Sequence, residues 1–295
     1  MSTLPLSWIN STKNTFVNYI KLEFSTFWIY SCSISNISTI ANILKNLSKK
    51  PNANFVIRGC NKKISKYLYQ NNFDSIIIGK EAIIELGQDP FIKKSLKELV
   101  KRGLKNGIIK EIDNSTKSVK KLEEIKSNSA HSNEPQLKYL FLDEFIPETR
   151  VFAFINKMNI WQGAILISLN SPQKVQTELL LRRISAPNGM MEALINYIYN
   201  ILKKEGFKEW SLGEVPFIVD PNDLMFLSKP YILNKIGKAL KYAYNYEGLY
   251  YFKNKFATRW ENIYLCARPT VKFRHIFMLS AKSRLLSLTL YKLLR

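Results

Sequence analysis

Residues 150 to 213 constrain the fold more than any other stretch of this chain. Two apolar runs, Arg150-Val151-Phe152-Ala153-Phe154-Ile155 and Ile160-Trp161-Gln162-Gly163-Ala164-Ile165-Leu166-Ile167, flank the polar tetrad Asn156-Lys157-Met158-Asn159. That pattern predicts a β-hairpin. Glu178-Leu179-Leu180-Leu181-Arg182-Arg183 reads as a third strand. Pro187-Asn188-Gly189 then opens a helix whose buried stripe is Met191, Leu194, Ile195, Ile198, Ile201 and Leu202, and Gly206 ends it. Trp210-Ser211-Leu212-Gly213 follows as a strand. Hairpin, strand, helix and strand, in that order, require a layered α/β structure.

The first half has its own alternation. Residues 1 to 23 read as mixed, with a helical reading open, and Phe24 to Ile34 as a strand rich in aromatic and β-branched residues. Ile37 to Leu47 reads as a helix and Asn52-Ala53-Asn54 as a turn. Phe55-Val56-Ile57 is a strand, Ile64, Tyr67 and Leu68 recur at helical spacing, and Ser75 to Gly79 is a short strand that Ala82 to Leu86 resumes after a break. Lys94 to Lys105 is a basic helix ended near Gly107. Residues 113 to 136, polar and rich in Ser, Asn and Lys, form a short helix and a loop and mark a boundary. The order in the second half is that of a GNAT-like acyltransferase fold. The expected organisation is two tandem GNAT-like α/β domains, 1–125 and 137–270, followed by a basic amphipathic helix over 271–295.

Charge narrows the partners. Lys+Arg 44 against Asp+Glu 23 gives a formal charge of +21, and 46% of residues are hydrophobic. A chain of 295 residues can bury a sizeable core at that composition. The excess charge calls for an anionic partner, either nucleic acid or an anionic membrane surface, unless a genome favouring Lys and Asn codons accounts for it. Cys32, Cys60 and Cys266 form no Cys-x-x-Cys pair, which fits free thiols in a reducing compartment. His131 and His275 lie far apart and in no metal-ligand spacing, which argues against a zinc site or a His-based triad. No apolar run approaches the roughly 20 residues a membrane span needs, and Met1 to Lys21 lacks a signal-peptide core. The expectation is a cytoplasmic protein, soluble or peripheral to the membrane.

The chemistry concentrates in Tyr246 to Trp260, where aromatic rings surround Lys253 and Lys255 and Gly248 can open a turn. A Lys held beside rings and a strand is placed to grip a phosphate or a developing oxyanion. An amphipathic segment with exposed lysines is the plainer reading.

Three pieces in order carry a resemblance. They are Glu178 to Arg183 with Pro187-Asn188-Gly189-Met190-Met191-Glu192, then Ser211-Leu212-Gly213-Glu214-Val215-Pro216, then Tyr246-x-Gly248-Leu249-x-x-Phe252-Lys253-x-Lys255-Phe256 with Trp260, Glu261, Tyr264 and Leu265. Together they resemble the soluble C-terminal domain of the phosphatidylglycerol lysyltransferases, the multiple peptide resistance factor family. The resemblance implies two GNAT-like folds packed together and transfer of an aminoacyl group from aminoacyl-tRNA to phosphatidylglycerol or a similar anionic lipid. It implies no cofactor beyond that co-substrate. Departures are visible: Leu180 stands where the family carries Asp, with Glu178 two residues earlier on the same strand face, Glu214 replaces an apolar residue, and Thr258 replaces Pro.

On this reading Glu178, Arg183 and Lys253 are the catalytic candidates, and Arg182, Asn188, Glu192, Glu214 and Lys255 the substrate-binding ones. A carboxylate would orient the acceptor or the aminoacyl ammonium, and a cation would hold phosphate or oxyanion. Plainer roles stand beside these: Glu192 in the first turn of a helix, Glu178 on an exposed strand, Lys255 in solvent, Asn188-Gly189 as a helix start. Acetyl-CoA is disfavoured, because Ala186 and Pro187 occupy the loop where CoA-binding relatives carry a glycine and an amide donor. The tail from Phe273 to Arg295 mixes Leu and Phe with Arg274, Lys282, Arg284, Lys292 and Arg295 and has no acid, as a helix lying in an anionic membrane face would, or one docked on the body. Two other functions stay open: a Fem-like transfer to a peptide or cell-wall precursor, and a non-enzymatic basic protein that binds membrane or nucleic acid.

Overall fold

A computed structural model describes residues 4–12, 16–35, 39–40, 53–143, 145–220 and 228–294. The hairpin is present as β7 (Thr149–Asn156) and β8 (Trp161–Ser171), antiparallel, with Asn156 Oδ1 accepting from the amides of Met158 and Ile160 to tie the turn. β9 (Lys174–Arg182) pairs with β8, and α4 (Met190–Lys204) packs Leu194, Ile195, Ile198 and Leu202 fully inward. Gly206, at φ +84°, closes the turn into β10 (Glu209–Pro216). Trp210 is buried at the centre of this core, with its indole N–H given to Thr177 Oγ1 at 2.9 Å.

The other elements are β1 (Ile9–Asn10), β2 (Phe16–Glu23), β3 (Thr26–Ile34), β4 (Asn54–Cys60), α1 (Lys62–Tyr69), β5 (Asp74–Glu85), α2 (Lys94–Leu104), β6 (Gly107–Ile112), α3 (Thr116–Ser127), α5 (Lys229–Ala239), α6 (Tyr246–Asn254), β11 (Arg259–Arg268), α7 (Phe273–Lys282) and α8 (Leu285–Leu293). Among the described residues one mixed sheet runs β1-β3-β4-β11-β5-β10-β9-β8-β7-β6, with β2 on the other side of β3. The mixed α/β class expected from the sequence is the class observed. Two long-range exchanges knit the sheet. β6, from the first half, pairs with β7, and β11, the last strand, lies between β4 and β5.

Several local expectations change. The segment read as mixed or helical holds β1 and β2 instead: Phe16–Glu23 is half exposed at a sheet margin, so its polar Asn18 and Lys21 mask the strand pattern. Ser75–Gly79 and Ala82–Leu86 belong to the single strand β5, which passes Gly79 without a break. Gly79 is there because a Cβ would meet the Val215 carbonyl oxygen at 2.4 Å. Gly248 lies in the first turn of α6, capped by Asn245 Oδ1 at 2.8 Å. The tail is two helices, broken at Arg284 with φ +62°. The helix expected over Ile37–Leu47 falls almost wholly outside the described residues.

Two parallel pairs position the site. β3 and β4 are paired only from Thr26 and Asn54 to Ile29 and Ile57, and β9 and β10 only from Lys174 and Glu209 to Gln176 and Ser211. Beyond those residues each pair diverges, because the strands are drawn to other neighbours. β10 shifts register against β5 between Ser211 and Glu214, with Gly213 at φ +84°. A bulge of this kind bends a strand and re-aims its side chains.

Candidate active site

The divergence of β9 from β10 opens a cavity of about 750 Å³. Gln176 to Arg183 line one side and Leu212, Gly213, Glu214 and Pro216 the other. Arg58 and Ile78 reach it from the first half, Leu249 and Lys253 from α6, Leu233 from α5, and Ile276 and Leu279 from α7. The wall is thus mostly apolar, with a charged cluster at one end.

Lys253 is the centre of that cluster. It is buried, and its Nζ donates to the Glu214 carbonyl at 2.9 Å. It lies over Gly213, where a Cβ would come within 3.4 Å of Nζ. Burial drives its pKa down from 10.5 to about 7, although Glu214 and Glu81 both oppose the shift. Glu214 is buried as well: one carboxylate oxygen takes Arg58 Nη2 at 2.8 Å, and the other has no hydrogen-bond partner among the described residues. Burial raises the Glu214 pKa, with Arg58 and Lys253 pulling it down and Glu81 adding to the rise. Glu81 faces Glu214 across the β5–β10 ladder and forms a buried ion pair with Lys174 at 2.7 Å. Tyr244, also on the cavity, has its pKa raised to about 12 by burial, with Glu214 adding to the rise. The chain therefore buries the side chains of Glu81, Glu214, Lys174 and Lys253, with Arg58 half-buried on Glu214, a costly arrangement that packing alone would not need.

The other candidates distribute as follows. Glu178 lines the cavity, but its oxygens are taken by Ser7 Oγ at 3.1 Å, Ser168 Oγ at 2.6 Å and the Leu142 amide at 3.0 Å. Burial raises its pKa against those hydrogen bonds. Arg183 lines the cavity and is fixed by Nε donating to the Trp161 carbonyl at 2.7 Å, while Arg182, exposed, donates to the Ala186 carbonyl at 3.2 Å. Asn188, Glu192 and Lys255 do not line the cavity; Glu192 and Lys255 pair with each other at 3.0 Å, and Asn188 is exposed. Arg58, Glu81, Lys174 and Tyr244 were not singled out from the sequence. The signal for two of them, Arg58 and Glu81, was a charge set inside an apolar strand, as in Phe55-Val56-Ile57-Arg58 and Lys80-Glu81-Ala82-Ile83-Ile84, where only a partner makes burial tolerable.

The start of α4 is covered. Gly189 caps it at φ +85°, and a Cβ there would meet the Leu99 carbonyl oxygen of α2 at 2.1 Å. Reciprocally, a Cβ on Gly103 would meet the Gly189 carbonyl oxygen at 2.3 Å. α2 thus lies backbone to backbone against the turn that starts α4.

Comparison with known proteins gives this geometry its context. A curated phosphatidylglycerol lysyltransferase from Bacillus subtilis is 28% identical over 149 residues, half of this chain, and the match spans 15% of that relative's length. Among solved structures, L-PGS from Bacillus licheniformis superposes with a TM-score of 0.72 at 16% identity, covering 95% of this chain and 88% of that one. The C-terminal domain of a putative lysylphosphatidylglycerol synthetase from Agrobacterium fabrum gives 0.69 at 16% identity over 92% and 86% of the two chains, and FemX gives 0.52 at 10% over 85% and 83%. These structural likenesses establish a shared fold. The family model described as the C-terminal region of phosphatidylglycerol lysyltransferase matches residues 33–267, which takes in the splayed strands, Arg58, Glu214 and Lys253; the chain belongs to that family.

Proposed function

We propose that this protein is an aminoacyltransferase that moves an aminoacyl group from aminoacyl-tRNA to a hydroxyl of phosphatidylglycerol or a similar anionic lipid. One observation carries the reading: a single cavity joins buried Lys253 and Glu214 and the half-buried Arg58 to a long apolar wall. An anionic headgroup beside acyl chains is the ligand class that such a wall and such a cation would hold.

The donor ester is already activated, so the protein need only align and stabilise. The lipid hydroxyl attacks the ester carbonyl carbon and gives up its proton. A C–O bond forms, and the tetrahedral oxyanion collapses to expel the ribose oxygen, which takes up a proton. Lys253 as ammonium faces the oxyanion or the headgroup phosphate. The Glu214 carbonyl holds Lys253 in place and Arg58 holds the Glu214 carboxylate, Arg182 and Arg183 at the end of β9 line the same cavity and would meet a phosphate of the donor, and Glu178 fixes the wall to which Leu137, Leu140 and Phe141 contribute. No CoA step enters. The packing of Gly103 on Gly189 supports that choice.

Lipid extracts of cells expressing the chain should contain a new aminoacylated lipid by mass spectrometry, absent with Lys253→Ala. An aminoacylated peptide precursor in place of the lipid would move the reading to the Fem-like alternative, and no product of either kind would leave a binding protein.

Membrane contact is the companion proposal, with the protein peripheral to the cytoplasmic leaflet. No helix among the described residues is long and apolar enough to cross a bilayer. α7 and α8 flank the cavity and leave Phe273, Phe277, Leu290, Leu293 and Leu294 exposed beside Arg274 and Lys282. Phe277→Asp with Leu293→Asp should weaken sedimentation with phosphatidylglycerol vesicles about tenfold, the burial of two apolar side chains being worth at least that. Thermal stability should not change, since both side chains are in solvent. Unaltered sedimentation would refute this face.

A further inference from the structure

α2 carries a charge pattern that the cavity does not use. Lys94, Lys97, Lys101 and Lys105 form one ladder along its solvent side, spaced three, four and four residues apart, with Lys93 before it and Arg102 alongside. All six are exposed, and Glu98 is the lone acid of the helix. The ladder and Arg102 make no ion pair with another described residue. Like charges at this spacing repel along a helix, so the ladder weakens α2 unless an anion lies over it. It spans roughly 16 Å at about 1.5 Å per residue, enough to follow several consecutive phosphates.

The helix does not stand alone. Phe91, just ahead of it, packs on Phe256 at 5.8 Å, and Lys93 Nζ donates to the Lys255 carbonyl at 3.4 Å. The head of α2 therefore abuts the end of α6. On the outer side of α6, Tyr250 stacks on Trp260 at 4.6 Å, and Tyr251 is 68% exposed beside them. The inner side of the same helix delivers Leu249 and Lys253 to the cavity. A cationic track thus runs into an aromatic shelf one helix away from Lys253. Cations for a backbone next to rings for unstacked bases are the means by which proteins hold single-stranded nucleic acid ends.

We propose that the α2 ladder and the Tyr250–Tyr251–Trp260 shelf form the docking surface for the RNA portion of the donor, the ladder on phosphates of the stem and the shelf under the unpaired 3′ end. This rests on the aminoacyl-tRNA reading above, and it assigns the RNA to a face distinct from the α7–α8 side.

The test is filter or anisotropy binding of an uncharged tRNA to the full chain, over a range of salt. Three proteins are compared: wild type, Lys94→Glu/Lys97→Glu/Lys101→Glu, and Lys62→Glu/Lys63→Glu/Lys66→Glu on the exposed face of α1, which makes the same change in net charge. The proposal expects the α2 variant to bind at least tenfold more weakly, with the log–log salt slope reduced by about two or more, and the α1 variant to stay within about threefold of wild type. Tyr251→Ala should weaken binding at least threefold with no change in salt slope. Equal losses in the two triple variants would make net charge the cause and overturn the surface. An α2 variant that keeps tRNA but loses anionic vesicles would make this a membrane face and overturn it too. If wild type binds tRNA and the α2 variant binds it equally, the surface fails and the donor reading stands; if wild type binds no tRNA, both fail.

Discussion

Replacing Lys253 with Met is expected to make this protein more stable and to stop transfer. The sign follows from the titration of the buried amine. An exposed lysine has a pKa near 10.5, and burial at the Glu214 carbonyl brings Lys253 to about 7. Between those values the unfolded chain binds a proton that the fold does not, so stability rises as pH rises from 7 to 10.5. Below pH 7 the fold bears the full cost of burying the charge. At about 1.4 kcal/mol per pKa unit that cost is roughly 3–5 kcal/mol, less about 1 kcal/mol for the donor that the Glu214 carbonyl loses in the variant. Lys253→Met should therefore gain about 3 kcal/mol at pH 6 in denaturant unfolding, with the gain fading to nothing by about pH 10.5. Transfer should fall at least ~100-fold, the scale of losing one preorganised oxyanion partner. The wild-type rate should also fall as pH climbs through 7 at low lipid concentration, and an anionic headgroup, by favouring the ammonium, should move that limb upward. A variant that is destabilised at pH 6, or that still transfers, contradicts the assignment.

Gly189→Ala is expected to have the largest effect on folding of any single methyl addition discussed here. Gly189 at φ +85° and Gly206 at φ +84° share a backbone conformation that L-residues resist at about 1–2 kcal/mol. Their surroundings differ: a Cβ on Gly206 meets nothing, and one on Gly189 meets the Leu99 oxygen at 2.1 Å. Gly206→Ala should lose about 1 kcal/mol, and Gly189→Ala about 4 kcal/mol, seen as a fall in Tm of roughly 10 °C, because α2 must move off α4. Equal losses at the two positions would show that the contact between the helices yields freely.

Local pattern made much of this molecule readable. β7, β8, α4 and β10 each announce themselves within a dozen residues, through alternation, a polar turn or a helical stripe, and the motif order carries the family. What sequence could not convey is which distant strands meet. Arg58 and Glu214 are 156 positions apart, and no local pattern pairs the one with the other until β4 and β10 are brought to one cavity. Glu178 looks catalytic in a motif and is, in the fold, also the acceptor for Ser7, Ser168 and Leu142. β5 reads as two pieces because Gly79 weakens the apolar run, and its reason, the nearby Val215 carbonyl, lies on another strand.

The placement of β11 between β4 and β5 has a consequence for synthesis on the ribosome. Residues 54–85 are made early, yet the strand that joins their two ladders spans Arg259–Arg268. Until it emerges, the nascent chain holds two unsatisfied strand borders, which invite mispairing and chaperone capture. Assembly from the amino-terminal side in order is therefore barred by topology, and a chain stopped short of Arg259 would lack the piece that joins its halves.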